Sequence, residues 1–190
     1  MTVPVIENQA LVLIAAAIGV VSILVFVVYR YYRRNYHQRQ INKFIKDISR
    51  EQLRNVVIPD GINDEIWIDC ILLTDGGFIV CDIRDYVGRL FGGDKINEWT
   101  QMIGVKSHKF PNPLIELPAK ISAVQEIVGD VPVTGHVVFT HRGTFPKGRP
   151  DDVFMVDEVY EQLSYFLRPA LPTEHLEIAW QKLLVAKKSG

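Results

Sequence analysis

At 190 residues the chain has room for one domain with a proper core besides any anchor, but not for two. A formal net charge of −1 excludes the global basic excess that draws a protein onto nucleic acid, and leaves open only a local basic patch. Two cysteines, Cys70 and Cys81, are too few for a disulfide scaffold and do not make a zinc pattern; the 48% of apolar residues is raised by one hydrophobic run.

That run, Ala10 to Tyr29, contains no charged residue. At about 1.5 Å per residue it spans the ~30 Å hydrocarbon core as a helix, which satisfies its own backbone hydrogen bonds in lipid. A cleaved signal peptide fits less well: the residues before the run carry no Lys or Arg, and Tyr29, Tyr31 and Tyr32 stand where a small-residue cleavage site would be. Arg30, Arg33, Arg34, Arg39, Lys43 and Lys46 follow at once. The excess of positive charge predicts a cytoplasmic C-terminal side and an N-terminus outside, with the tyrosines in the interfacial belt. The membrane is thus the first expected partner, and the basic cluster could also hold anionic headgroups. The predicted layout is a tail over 1–9, a span over 10–29, a basic juxtamembrane helix over 30–59, a domain over 60–168 and a C-terminal helix over 169–190.

Ile41, Phe44, Ile45, Ile48 and Leu53 have helical spacing, so the helix leaving the span is predicted to run from Tyr36 to Arg54. After the turn Pro59-Asp60-Gly61, the β-rich run Glu65 to Thr74, the turn Asp75-Gly76-Gly77, the run Phe78 to Asp85 and a short strand Val87 to Phe91 read as a three-stranded antiparallel meander. Trp99 to Phe110 reads as irregular. Asn112-Pro113-Leu114 is a turn or a helix start, and Pro118 suits the first turn of a helix whose apolar stripe is Ile121, Val124, Ile127 and Val128. Gly135 to Thr140 is a buried strand, Arg142 to Asp152 a charged Gly/Pro loop, Val156 to Leu167 a short helix, and Thr173 to Lys188 a last helix with Thr173 as N-cap. This order predicts an α/β fold, an α+β sandwich of a mixed sheet flanked by helices.

One constellation carries chemistry. Asp69 interrupts an apolar strand, and Asp82 and Arg84 lie among Phe, Ile, Val and Cys in the next. Carboxylates in such surroundings need a partner. A two-residue Asp75-Gly76 loop puts Asp69 opposite Asp82, and two facing carboxylates call for a divalent cation or a shared proton between them. A Gly76-Gly77 loop instead puts Asp69 opposite Arg84, an ordinary buried salt bridge. Spacing leaves both open. The first register also pairs Cys70 with Cys81 on the other face as two small buried thiols.

These residues resemble the nuclease-related (NERD) domain family. Ile68-Asp69-Cys70-Ile71-Leu72-Leu73-Thr74, Gly76-Gly77-Phe78-Ile79-Val80 and Asp82-Ile83-Arg84-Asp85-Tyr86-Val87-Gly88 are similar to its core pattern. That pattern is an aspartate in a hydrophobic strand, a Gly turn, a strand ending in Glu-x-Lys, then an aromatic and Gly. Glu98-Trp99-Thr100-Gln101, Phe110 with Asn112-Pro113-Leu114, and Val137-Val138-Phe139 extend the likeness over about Asp60 to Leu163. The resemblance implies a fold like that of the PD-(D/E)XK (restriction-endonuclease-like) nucleases, with Mg²⁺ as cofactor and nucleic acid as substrate. It implies Asp69 and Asp82 as metal ligands, in the first Asp and the Glu positions, and Arg84 in the position of the Lys that helps activate water. Here Asp replaces Glu, which shortens the reach, and Arg replaces Lys, which keeps the charge but cannot accept a proton. Glu116 stands where the family often has Gln, and Glu51 is the nearest candidate for the usual N-terminal Glu. Two functions follow from the likeness: Mg²⁺-dependent phosphodiester hydrolysis at the membrane, or an inactive nuclease-fold module binding nucleic acid or protein there.

Gly88 to Gly93 lacks the Lys-Ser/Thr of a phosphate loop, and His108, His136 and His141 have no ligand-like spacing. Arg142, Lys147 and Arg149 could touch phosphates, but Asp151 and Asp152 follow directly, as in a solvated mixed-charge loop.

Overall fold

The computed structural model describes residues 4–61, 64–163, 166–169 and 171–189. It divides into two units, Met1–Arg39 and Gln40–Gly190. Helix α1, Pro4–Ile48, begins in the first and ends in the second. Within the first unit the stretch Ala15–Tyr32 has a mean hydropathy of 1.8 and no buried residue, so α1 is long and apolar enough to cross a membrane. At its polar end the Arg39 guanidinium lies 4.6 Å from the centroid of the Tyr32 ring.

In the second unit the end of α1 buries Ile41, Phe44, Ile45 and Ile48, one stripe at helical spacing. The helix stops there. Ser49 Oγ donates to Ile45 O at 2.6 Å, and the Arg50 amide donates to Leu73 O at 2.8 Å. The expected continuation of the helix to Arg54, and of a juxtamembrane helix to 59, is wrong: Glu51–Pro59 is strand β1. Capture of Arg50 by Leu73 starts an antiparallel ladder, which carries Leu53, Val56 and Ile58 into the core.

Strands β2, Glu65–Thr74, and β3, Gly77–Arg84, form the expected hairpin. Its loop is Asp75-Gly76, closed by a bond from Thr74 Oγ1 to Gly77 O at 2.9 Å. Gly77 has φ +135°, and a Cβ there would strike the Pro132 carbonyl, so the turn depends on glycine.

The meander ends here. Strand β4, Gly88–Phe91, leaves for a second sheet. The segment expected to be irregular is a hairpin in that sheet, β5, Glu98–Ile103, and β6, Lys106–Pro111, turning at Gly104 with φ +60°. Its outward Lys, Ser, Thr and Gln residues hide the alternation that Trp99 and Phe110 reveal by being buried.

Helix α2, Leu117–Val128, has Pro118 in its first turn, as expected. It leads to β7, Val133–Phe139, which runs parallel to β3 and takes the place foreseen for β4. Strands buried on both faces sit at the centre of a sheet reached by helical crossovers, and β3 and β7 have that composition. Two short strands lie in and beside the charged loop: β8, Gly143–Thr144, parallel to β4, and β9, Val153–Met155, parallel to β7. Helix α3 covers only Val159–Gln162, shorter than the expected 156–167, of which residues 164–165 fall outside the described set. Helix α4, Thr173–Ala186, has Pro172 and not Thr173 at the cap, with no side-chain capping bond. The helix ends at Ala186, two residues short of the predicted Lys188, and Lys188–Ser189 form β10, paired with β1.

The order in the large sheet is β10-β1-β2-β3-β7-β9, and in the small one β6-β5-β4-β8; both are mixed. The expected class, a mixed α/β fold with helices flanking mixed sheets, is the one observed. One core lies among the large sheet, α2, α4 and the small sheet's Leu90, Trp99 and Phe110. A second packs the end of α1 and Val156, Val159 and Leu163 against Cys70, Leu72, Ile79 and Cys81.

Candidate active site at a fork in the sheet

The β2–β3 ladder runs from Thr74↔Gly77 to Cys70↔Cys81 and stops. Beyond that point β2 pairs only with β1, as far as Glu65, and β3 only with β7, as far as Arg84. The sheet therefore forks, and Asp69 and Asp82 are the first residues of its two prongs. The β1 ladder also lapses beside Asp69, where Asn55 takes φ +49°, a left-handed conformation that Asn tolerates better than most residues. Asp69 and Ile83 are tied across the fork: the Ile83 amide donates to Asp69 Oδ2 at 3.0 Å.

The register that pairs the two aspartates is the one adopted, and the alternative Asp69–Arg84 salt bridge is not. Arg84 Nη2 donates instead to Asp82 Oδ2, on its own strand, at 2.6 Å. Burial, a hydrogen bond with Asp82 and the charge of Asp82 push the Asp69 carboxyl up to about 7, against a smaller opposing pull from the Ile83 amide and Arg84. Burial also acts to raise Asp82, but the hydrogen bond from Asp69 and the charges of Arg84 and Lys120 outweigh it and hold that carboxyl below its ordinary value. The environment thus drives the two carboxyls apart, Asp69 towards holding its proton and Asp82 towards the charged form.

Lys120 was not foreseen. It lies on α2, is 2% exposed, and directs Nζ to Asp82 Oδ2 at 3.4 Å and to Glu116 Oε2 at 3.7 Å. The sequence signal was available, because position 120 falls on the stripe that also holds Leu117 and Val124, where a lysine breaks the apolar pattern. The structure does not bring Glu51 to the fork; it pairs with Leu73 at the closed end of the hairpin.

Two polar atoms at the fork, Asp82 Oδ1 and Arg84 Nε, are buried without a hydrogen-bond partner among the described residues. A buried carboxylate oxygen with no donor, beside a carboxyl that holds its proton only up to about pH 7, fits a divalent cation. Among the described residues no three His, Cys, Asp or Glu side chains gather into a metal cage. Mg²⁺ does not require one, since it is held by one or two carboxylates and completes its octahedron with water and phosphate oxygens.

The other candidates lie elsewhere. Cys70 and Cys81 face each other as free thiols; burial pushes Cys70 up to about 12 and Cys81 well above the ordinary range, so both are unreactive. His136 stacks on Phe154 at 4.4 Å, and burial lowers it to about 4. In the charged loop Arg142 bonds Asp85 at 2.7 Å, Arg149 pairs with Glu158, and Lys147 stands 5.9 Å from the Phe91 ring.

The carboxyl pair has a testable consequence for stability. Between about pH 4 and pH 7 the folded chain retains a proton on Asp69 that the unfolded chain has released, so the metal-free protein loses stability as pH rises through that window. The cost is absent below it and complete above it. Asp69→Asn should therefore raise the melting temperature in EDTA at about pH 8, with a gain that shrinks towards about pH 4. An equal gain at every pH would remove the retained proton from the account.

The description "nuclease-related domain" belongs to the family model that matches residues 33–140, more than half of the chain. That stretch holds both prongs of the fork and Lys120. The chain is also similar to an uncharacterised protein of Bacillus anthracis, 30% identical over 76 residues, which are 40% of this chain and 36% of that protein. It therefore spans little more than a third of that relative's length. No solved structure matches it. By the family match over residues 33–140, this chain belongs to the nuclease-related domain family.

Proposed function

We propose that this protein is a membrane-anchored, metal-dependent nuclease with its domain on the cytoplasmic side. The observation that carries the reading is Lys120. The strand position where the family has lysine holds Arg84, yet a buried lysine from α2 reaches the same carboxylate. Asp69 and Asp82 Oδ1 would hold Mg²⁺, which supplies a water of lowered pKa and offsets charge on the phosphate. Asp82 is fixed by Arg84 and Lys120 through Oδ2, which leaves Oδ1 for the metal. The guanidinium and the ammonium then stand beside the position where negative charge develops, where fixed donors do most for rate. The uncharged run and the following Arg and Lys residues support the anchor and its orientation.

One observation favours a second reading, an inactive module that binds nucleic acid or protein. Arg84 and Lys120 already neutralise Asp82, so the network is complete in charge without a metal. The deciding experiment incubates the full chain in detergent with plasmid, single-stranded DNA and RNA, with Mg²⁺ or Mn²⁺ against EDTA. The nuclease reading expects metal-dependent cleavage, lost in Asp69→Ala and Asp82→Ala. It fails if neither the native chain nor Asp82→Glu with Arg84→Lys cleaves, and calorimetry detects no metal.

A further inference from the structure

The fork presents an aromatic surface that the hydrolytic reading leaves unused. Trp67 lies two residues beyond Asp69 on the β2 prong, as Arg84 lies two beyond Asp82 on the β3 prong. Its neighbours on the strand turn inward, Ile66 half-buried and Ile68 fully buried. Trp67 itself is 44% exposed, whereas Trp99 is fully buried and Trp180 nearly so. Its ring is not isolated from the site: Lys120 Nζ is 5.8 Å from the ring centroid and 3.4 Å from Asp82. One ammonium thus joins an exposed indole to the carboxylate pair, and on the opposite prong the Arg84 side chain is 30% exposed.

A large aromatic ring left half in water beside a charged site offers a face on which a flat group can stack. Arg84, whose side chain is partly exposed, favours an occupant that carries negative charge close to a flat apolar group. A nucleotide has both, its phosphate for the guanidinium and its base for the ring. In the interior of a duplex both faces of each base are already stacked, so away from its ends the indole can receive only an unpaired base. We propose that Trp67 is a base-stacking platform of the fork, and that the ligand of this site is single-stranded nucleic acid. This rests on the nuclease-related reading of the fork but not on catalysis.

The test reads binding apart from cleavage. The full chain in detergent micelles, in EDTA, is titrated with an oligo-dT of about fifteen nucleotides and with a blunt duplex of equal length. Tryptophan emission and fluorescence anisotropy of labelled DNA are followed together. The chain has three tryptophans, and the exposed one is the reporter. Oligo-dT is expected to quench emission and the duplex to quench little. Trp67→Leu should weaken oligo-dT binding roughly 5- to 100-fold, and Trp67→Tyr should restore most of it, since one stacked base contributes on that order. Thermal melts of both variants check that the fold is intact. Native affinity for oligo-dT in a folded Trp67→Leu variant, or equal affinity for duplex, would overturn the proposal, as would an altered melting temperature with unchanged binding, the mark of a mere cover over Lys120. Quenching without metal-dependent cleavage would sustain the platform and sink the nuclease reading. Cleavage without quenching would do the reverse.

Discussion

Lys120→Met should cost the metal-free domain about 3–5 kcal/mol, the range for breaking a buried charge network by removing one member. The lower end is expected, because Arg84 still pairs with Asp82 at 2.6 Å. Methionine keeps the aliphatic length, so the loss reports the ammonium and not a cavity. The same change should reduce cleavage on the order of 10²–10³-fold, the usual effect of deleting one fixed donor at a developing charge. A third readout separates chemistry from architecture. Lys120 repels a cation at Asp69 and Asp82, so its removal should leave Mn²⁺ binding unchanged or tighter while cleavage falls. Loss of metal binding and cleavage together would make Lys120 a structural residue only. A native melting temperature in the variant would mean that the 3.4 Å contact carries no stability.

The fork explains which parts of the site could be read in advance. The hairpin register follows from a two-residue Asp-Gly loop, and once that is fixed Asp69, Asp82 and the cysteine pair fall into place by counting. Lys120 lies fifty-one residues from Asp69 along the chain, and only the crossover from β3 to a parallel β7 brings α2 over the fork. Nothing local encodes that crossover. The meander reading failed for the same reason: β4 follows β3 closely yet joins another sheet, because β3 already has β2 and β7 as neighbours. Strand β1 reads as helix in the sequence because Leu53 continues an apolar spacing that a helix and a bulged strand can both satisfy. The Arg50–Leu73 bond decides between them, and it is a tertiary contact. Strands β5 and β6 carry so many polar side chains that only Trp99 and Phe110 mark the buried face.

Trp99→Ala should be the most damaging substitution away from the fork, at about 3–5 kcal/mol, out of the 5–15 kcal/mol typical of a whole domain. The indole is fully buried and lies at the meeting point of the two sheets. It stacks on Phe139 at 6.1 Å and meets Phe110 and Phe145 edge-on at 6.1 Å. Its Nε1 donates to Gly93 O at 3.1 Å, and the backbone of Gly92 lies so close to the ring that a Cβ there would collide with it. Nothing else of that size can refill the space, so the cavity term adds to the lost transfer energy. Trp99→Phe should cost less, since it keeps an aromatic contact with Phe139 but forfeits the Gly93 bond, which contributes about 1 kcal/mol. The loss should also reach the fork. Phe139 is the register partner of Arg84 in the β3–β7 ladder, so a void against Phe139 loosens the prong that holds the guanidinium on Asp82. Chemical denaturation should rank native above Trp99→Phe above Trp99→Ala, and under folding conditions cleavage should fall in the same order. If Trp99→Ala unfolds at the native midpoint, the small sheet is not held by this cluster. If stability falls but cleavage by the folded fraction does not, the prong keeps its geometry without it.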